Sequence, residues 1–516
     1  MRSLKEIESS VIADKLKGLS DSEIGEKYKI TYRQLEQIMR KTFGVSISSP
    51  KKERSIKRYE PKDFQEETTT VWSFKSRGDW ATHSGEYRGN WSPYIPRNLI
   101  LKYSSPGELV LDYFCGAGTT AVEAKLLGRR CIALDINEKA VELARRNIDF
   151  QIHSKYQRYE RIYEPELFVG DARDLSFLDN QSVDLICAHP PYANIIHYTN
   201  NKEGDLSFLE VEHYLRELEK VANESYRVLK PGRKCAILIG DMRKHKHVVP
   251  LGFKVIDVFL KAGFKLKELV IKRQHNCKTT GFWYENSIKY NFLLLAHEYL
   301  PIFEKPLNTS SVKETSSAYG TISLRERTLK DRDSISSLET TTVWIFRREE
   351  LESLTEINVI DRYQKNNSFR VIDITNDGVP SEIEKLLKEG KVELIYVKSS
   401  CLSRAVLAEN EVEKYLDSVN QLISIISEIV NDEGYLVIQT RDVRVNGYIE
   451  PMAKRIVEVV KIPELSLKEI IVIAEKESKK INARSDGSLQ IVHQYLLVFK
   501  VSRSLNIKRS KSAKKQ

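Results

Sequence analysis

Apolar and polar positions alternate in a way that divides the chain into six stretches. Between residues 67 and 300, short apolar runs such as "LVLDYF" (109–114), "CIALD" (131–135) and "VDLICA" (183–188) alternate with longer segments that are apolar on one helical face. Strand-like runs separated by helix-length segments predict an α/β domain built on a largely parallel sheet. Residues 339–501 repeat the alternation in a shorter span and predict a second α/β domain. At the start of the chain the spacing is helical. Ser20 and Glu23 form a capping box, Ile24 and Tyr28 share a face, and Thr31 can cap a second helix with Leu35, Ile38 and Met39 inward. Residues 1–44 are therefore expected to hold a helix-turn-helix. Its outward Tyr32, Arg33, Gln34 and Gln37 are residue types that reach phosphates and base edges of DNA. Residues 45–66 and 301–338 are polar and non-periodic and read as linkers, and 502–516 as a basic tail.

An internal repeat links the two α/β regions. "ETTTVW" occurs at 67–72 and again at 339–344, an offset of 272 residues. Further blocks follow in the same order. "LFVGDARDL" (167–175) parallels "FRVIDITND" (369–377), and "VDLICAHPPYA" (183–193) parallels "VELIYVKSSCL" (392–402). "CAILIGDMR" (235–243) parallels "LVIQTRDVR" (436–444), and "NFLLLAH" (291–297) parallels "QYLLVFK" (494–500). From Thr68 to His189 is 121 residues, and from Thr340 to Lys398 only 58. The shortfall is read as loss of the helix before the first apolar strand, the glycine turn and the counterpart of Asp135.

Composition narrows the class. With 516 residues, 41% hydrophobic and 30% charged, the chain has the make-up of a multidomain soluble protein. No apolar run is long enough to span a bilayer, and the N-terminus has no signal core. Six cysteines without a C-x-x-C pattern argue against a zinc ribbon or disulfide framework and for a reducing cytoplasm. No metal-ligand set is apparent around His245 and His247. A net charge of +10, thinly spread, is compatible with a nucleic-acid partner without establishing one.

The candidate chemistry lies at two strand ends. "LVLDYF" leads into the turn Cys115-Gly116-Ala117-Gly118, after which Thr119 opens a helix. Glycines there let the backbone approach a ligand. Asp135, at the end of the next strand, can accept both hydroxyls of a ribose, and Asp171 ends a third strand. Spacing alone does not separate a dinucleotide from S-adenosylmethionine. The second end is His189-Pro190-Pro191-Tyr192. In the second half the aligned positions are Lys398, Ser399, Ser400 and Cys401, so the corner is erased.

Together these motifs resemble the amino-directed DNA methyltransferases, which methylate N4 of cytosine or N6 of adenine. "LDYFCGAGTT" (111–120) resembles their D-x-F-x-G-x-G-T-T cofactor motif and "HPPY" their D/N/S-P-P-Y catalytic motif. "NWSPYIPRNLILKYSSPGELVLD" (90–112) resembles the start of the domain, including the helix that closes over the methionine end of the cofactor. The resemblance implies a Rossmann-like methyltransferase domain over 67–300, a truncated, degenerate copy over 339–501, and S-adenosylmethionine as cofactor. It implies that Asp112, Phe114, Gly116, Gly118 and Thr119 shape the cofactor turn, with Asp112 near the methionine ammonium. Asp135 would hold the ribose, Asp171 the adenine, and Arg97 or Asn98 the methionine carboxylate.

An exocyclic amine conjugated to a base is a poor nucleophile, and acceptors aimed at its N–H bonds favour the tetrahedral geometry it needs. The Pro190 carbonyl and the His189 side chain are expected to supply them, with Tyr192 stacking on a base flipped out of the duplex. His189 stands where the family has Asp, Asn or Ser, so it favours neither base. Basic and aromatic residues at 240–250 and 271–286 are candidates for a DNA-facing rim. The expected partners are double-stranded DNA and a cognate restriction endonuclease, with no membrane. Two other functions compete: methylation of guanine N2 in RNA, and a non-catalytic DNA-binding regulator.

Overall fold

The computed structural model describes residues 4–16, 21–30, 38, 56, 58–83, 87, 89–193, 198–199, 202–244, 246–275, 287, 289–307, 339–364, 366–374, 390–399, 402, 406–476 and 484–503. At the N-terminus, helices α1 (Leu4–Leu16) and α2 (Asp21–Tyr28) pack through Ile7, Val11 and Ile24, with Ile30 and Ile38 in the same cluster. Tyr32, Arg33, Gln34 and Gln37 lie outside the described residues.

The first half forms an eight-stranded sheet. Its strands are β1 (Val71–Ser73), β2 (Leu109–Asp112), β3 (Arg130–Asp135), β4 (Glu166–Val169), β5 (Val183–Ala188), β6 (Leu229–Ile237), β9 (Lys265–Arg273) and β10 (His297–Glu304). β7 (Met242–Lys244) and β8 (His247–Val249) make a separate hairpin. The spatial order is β1-β9-β10-β6-β5-β2-β3-β4, parallel throughout except for β10. β2 and β5 are buried along their whole length, as strands covered on both faces require. Helices α3 (Tyr94–Tyr103), α4 (Thr119–Leu126), α5 (Glu138–Ile148), α6 (Val211–Val228) and α7 (Leu251–Lys261) pack around the sheet. Asn137 starts α5 by accepting from Lys139 N at 3.1 Å. Among the described residues, no helix is long and apolar enough to cross a membrane.

The second half repeats this plan with fewer strands. Its elements are β11 (Val343–Phe346), α8 (Leu351–Tyr363), β12 (Phe369–Asp373), β13 (Val392–Lys398), α9 (Glu409–Ile426), β14 (Val430–Thr440), the hairpin β15–β16 (Val443–Val445, Tyr448–Glu450), α10 (Met452–Val459), β17 (Leu465–Glu475) and β18 (His493–Val501). The six-stranded order, β11-β17-β18-β14-β13-β12, is the first sheet without counterparts of β3 and β4. Three expectations are corrected here. The helix thought lost is present as α8. In α3, Asn98 Oδ1 accepts from Glu67 N (2.8 Å) and its Nδ2 donates to the Tyr94 carbonyl. In α8, Asn358 does the same with Glu339 N (3.2 Å) and the Leu354 carbonyl. Second, β12 lies beside β13 where β2 lies beside β5, so "FRVIDITND" takes the place of the first apolar strand, not of β4. Third, "NFLLLAH" matches "GSLQIVH" (487–493), because His297 and His493 make the same contacts.

Those contacts form an interface with approximate two-fold symmetry. His297 Nδ1 meets Thr342 Oγ1 at 2.9 Å, and His493 Nδ1 meets Thr70 Oγ1 at 2.7 Å. Ala296 N donates to Thr342 Oγ1, and Val492 N to Thr70 Oγ1. Arg243, on the β7–β8 hairpin, pairs with Glu469 at 2.6 Å, and Arg444, on β15, pairs with Glu268. Leu293 N donates to Glu469 and Leu489 N to Glu268, at 3.2 and 3.1 Å. Each half therefore inserts a hairpin arginine beside a buried glutamate of the other. One apolar cluster, including Phe253, Tyr299 and Tyr495, runs across the junction. Arg243 and His247, in the 240–250 segment considered for a DNA-facing rim, are taken up by this junction: His247 Nδ1 lies 3.3 Å from the Leu467 carbonyl.

Candidate active site

The parallel strands β2, β3 and β5 end on one side of the first sheet, the edge where open α/β sheets bind ligands. A cleft opens there, lined by Phe114, Gly116, Asp135, Asp171, His189 and Pro191 among others. Both halves of the sequence prediction, glycine turn and proline corner, therefore face one space.

The two glycines of the turn do different work. Gly116 has φ +51°, and a Cβ there would come within 3.0 Å of Tyr87 Cε1 and 3.1 Å of Asn90 Oδ1. Only a bare backbone fits that wall of the cleft. Gly118 has φ +78°, and its Cβ would press on Ala144 Cβ at 2.9 Å, so it lets α4 and α5 pack. Asp112 accepts from Phe114 N (3.1 Å) and from Thr120 Oγ1 and does not line the cleft. It stiffens the turn instead of reaching a ligand. Burial raises its carboxyl to about 7. Thr119 is buried at the start of α4.

Asp135 is on the cleft wall. Its Oδ2 accepts from Gly116 N (3.0 Å) and its Oδ1 from Asn137 N (2.9 Å). A carboxylate has about four acceptor sites, so hydroxyl donors can still be accommodated. Desolvation raises its carboxyl to about 6. Asp171 also lines the cleft, in an ion pair with Arg173 at 2.6 Å. Asn98 and Arg97 do not reach it. Asn98 is committed within α3 and to Glu67, and Arg97 is buried against Glu123 at 2.9 Å. Further residues complete the wall: Tyr87 stacked near Tyr198 (6.3 Å, 22°), Asp205, and Asn90 and Trp91, which open the 90–112 segment but were given no role. For Tyr87 the signal was the glycine and aromatic residues of "EYRGNW" (86–91).

The corner is held from three sides. The His189 ring lies nearly parallel to Trp91 (6.0 Å, 21°) and edge-on to Tyr192 (5.7 Å, 66°). Its Nε2 is 3.2 Å from the Tyr192 hydroxyl, which donates to Glu298 Oε1 at 2.7 Å. Glu298 Oε2 accepts from Lys272 Nζ, also at 2.7 Å. Burial lowers His189 to about 4; Glu298 opposes this, while Lys272 and Arg77 add to it. Burial alone would raise Glu298, but Lys272 and His189 outweigh it and bring the carboxyl to about 2. Tyr192, expected to offer its ring to a base, is instead tied down by its hydroxyl and is not part of the cleft lining. In the second half, Lys398 is held by Glu352 and Glu356, and Ser399 by Tyr415 at 2.7 Å. That lysine is used within the fold.

A cleft with a bare backbone wall, a carboxylate with free acceptor sites and several aromatic rings fits an adenosine-type ligand. Comparison with known proteins agrees. A family model described as DNA methylase matches residues 24–146 and 183–372, more than half of the chain, and a methyltransferase-domain model matches 111–237. The chain is similar to the tRNA (guanine(10)-N2)-dimethyltransferase of Methanothermobacter thermautotrophicus, 30% identical over 160 residues, 28% of this chain and 44% of that protein. It is also similar to the Type II methyltransferase M.MthZI of Methanothermobacter thermautotrophicus, 28% identical over 156 residues, 27% of this chain and 44% of that one. The chain thus spans under half the length of each. Among solved structures, it is similar to an S-adenosylmethionine-dependent methyltransferase from Methanosarcina mazei, with 16% identity, 40% of this chain and 97% of that one covered, and a TM-score of 0.29.

Proposed function

The chain belongs to the DNA methylase family, and from that premise we propose that it methylates an exocyclic amine, cytosine N4 or adenine N6, of a base flipped out of double-stranded DNA. The observation that carries the reading is the shared cleft: His189 and Pro191 line the same space as Gly116 and Asp135. S-adenosylmethionine is the cofactor and supplies, when bound, an electrophilic methyl group. Asp135 would hold the ribose hydroxyls, Gly116 would lie flat against the ligand, and Asp171, shared with Arg173, would meet the adenine edge. His189 and the Pro190 carbonyl would accept from the amine and orient its lone pair. With its basicity lowered by burial, His189 is neutral at pH 7 and has a lone pair to offer.

Type II methyltransferases among the relatives support a place in restriction–modification with a cognate endonuclease. We read the second half as a degenerate methyltransferase domain that braces the first and helps to hold or select DNA. Residues 32–37 would add DNA contacts. The test is transfer of labelled methyl to duplex DNA and, in parallel, to tRNA, followed by identification of the modified nucleoside. N4-methylcytosine or N6-methyladenine is expected. Label in tRNA guanine alone would replace this reading with the guanine-N2 one, which the tRNA-modifying relative favours.

A further inference from the structure

The corner contains a proton arrangement that the proline motif does not account for. Glu298 and Lys272 stand on neighbouring strands, β10 and β9, 106 and 80 residues from Tyr192 in sequence. Glu298 is buried, with one carboxylate oxygen on Lys272 and the other on the Tyr192 hydroxyl. A tyrosine hydroxyl has one proton. Given to Glu298, it leaves lone pairs on the phenol oxygen, 3.2 Å from His189 Nε2. The Gly89 backbone also acts on the imidazole and favours its protonated form. The neutral ring thus has one proton to share between two acceptors, and the protonated ring satisfies both.

Resting on the methyltransferase reading, we propose that Glu298, pinned by Lys272, is a positioning residue. It turns the Tyr192 hydroxyl away from His189, leaving Nε2 free to receive the proton released by the substrate amine. The amine nitrogen uses its lone pair to form the new N–C bond. The C–S bond electrons stay on the sulfur of the sulfonium donor, and one N–H proton passes to Nε2, where the Tyr192 oxygen accepts it in a hydrogen bond. Without a carboxylate at 298, the phenol proton would turn to Nε2 and block it. The charged groups acting on the ring are Glu298, Lys272 and Arg77, with Tyr192, Trp91 and the Gly89 backbone in contact.

Glu298→Gln is the informative change because Lys272 controls its outcome. The ammonium takes the single amide oxygen, the amide N–H₂ faces Tyr192, and the phenol must give its proton to His189. Glu298→Gln should lower kcat by about 10²-fold, the low end for loss of a proton acceptor, with S-adenosylmethionine affinity changed less than about twofold. Adding Lys272→Met lets the amide turn over, and the double variant should regain at least about tenfold of that loss. The acid limb of kcat should move down in pH in Glu298→Gln and up in Lys272→Met, since one loses an anion near His189 and the other a cation. Nitrogen NMR of histidine-labelled full-length protein reads the same opposite shifts in His189, and its tautomer, without turnover. Wild-type kcat in Glu298→Gln, or His189 shifts of the same sign in both single variants, would overturn the proposal. Wild-type protein that methylates no DNA while the NMR shifts hold would instead overturn the reading on which it rests.

Discussion

The two halves share the order of six strands and an interface, but among the described residues the cleft with its glycine turn and proline corner belongs to the first. The difference sorts residues by purpose. Where a contact occurs in both halves, it serves the fold: Asn98 and Asn358 on their glutamate N–H groups, His297 and His493 on their threonines, Arg243 and Arg444 on their glutamates. Features confined to the first half are those assigned to the proposed chemistry: Gly116, Asp135, His189 and Glu298. The position of Glu298 is occupied in the second half by Gln494, which accepts from Gln439 at 2.6 Å. The anion that steers Tyr192 is missing where the corner is missing.

The sharpest way to test this sorting is to remove a residue from each class. His189→Ala should cost about 10²–10⁴ in kcat and leave cofactor affinity and thermal stability near wild type. Gly116→Val should abolish cofactor binding, measured by calorimetry, because its side chain would meet Tyr87 and Asn90. A His189→Ala enzyme that turns over normally would remove the corner from the chemistry.

Next in size are the mirrored arginines. Arg243→Leu strands Glu469 as a buried charge, and Arg444→Leu does the same to Glu268. Each should cost about 3–5 kcal/mol in denaturant unfolding, while Arg243→Leu/Glu469→Leu should recover most of the loss. Burial already holds both glutamates above the usual carboxylate value despite the arginine on each. If one arginine proved costly and the other silent, the symmetry would be geometric only.

A pH effect should follow from His297. Burial lowers its pKa to about 4. Between that value and about 6.5 in the unfolded chain, the unfolded state binds more protons. Stability from this group is therefore complete above about pH 6.5 and falls as pH drops through about 4, by about 3 kcal/mol in all. Subtracting the pH profile of His297→Asn isolates the term from buried acids such as Asp241, raised to about 7, whose contribution runs the other way. Identical slopes for the two proteins between pH 4 and 6.5 would deny His297 this role.

Much of this was legible in the chain. Apolar runs announced β2, β3 and β5 because buried parallel strands have no polar face, and the glycine turn and "HPPY" placed the cleft at their ends. What was hidden depends on partners distant in sequence. Glu298 gains its meaning from Tyr192, 106 residues earlier, and no local spacing signals that. The 240–250 segment looked like a basic surface, but its Arg243 is neutralised by Glu469, 226 residues away. α8 escaped notice as the counterpart of α3 because the shared features are one asparagine and the backbone N–H it caps.

The smallest predicted effect bears most directly on how sequence resemblance should be used. Resemblance assigned Asn98 to the methionine carboxylate. Geometry gives it the Glu67 N–H and the Tyr94 carbonyl, and Asn358 makes the same pair of bonds in a half without the glycine turn. A ligand residue would have no reason to keep its contacts in a half without the glycine turn. Asn98→Ala and Asn358→Ala should therefore cost similar amounts, about 1 kcal/mol each for a lost backbone acceptor, and neither should change the dissociation constant of S-adenosylmethionine. A tenfold weakening confined to Asn98→Ala would return that residue to the cofactor site. It would also show that a contact shared by both halves can still be put to use in one of them.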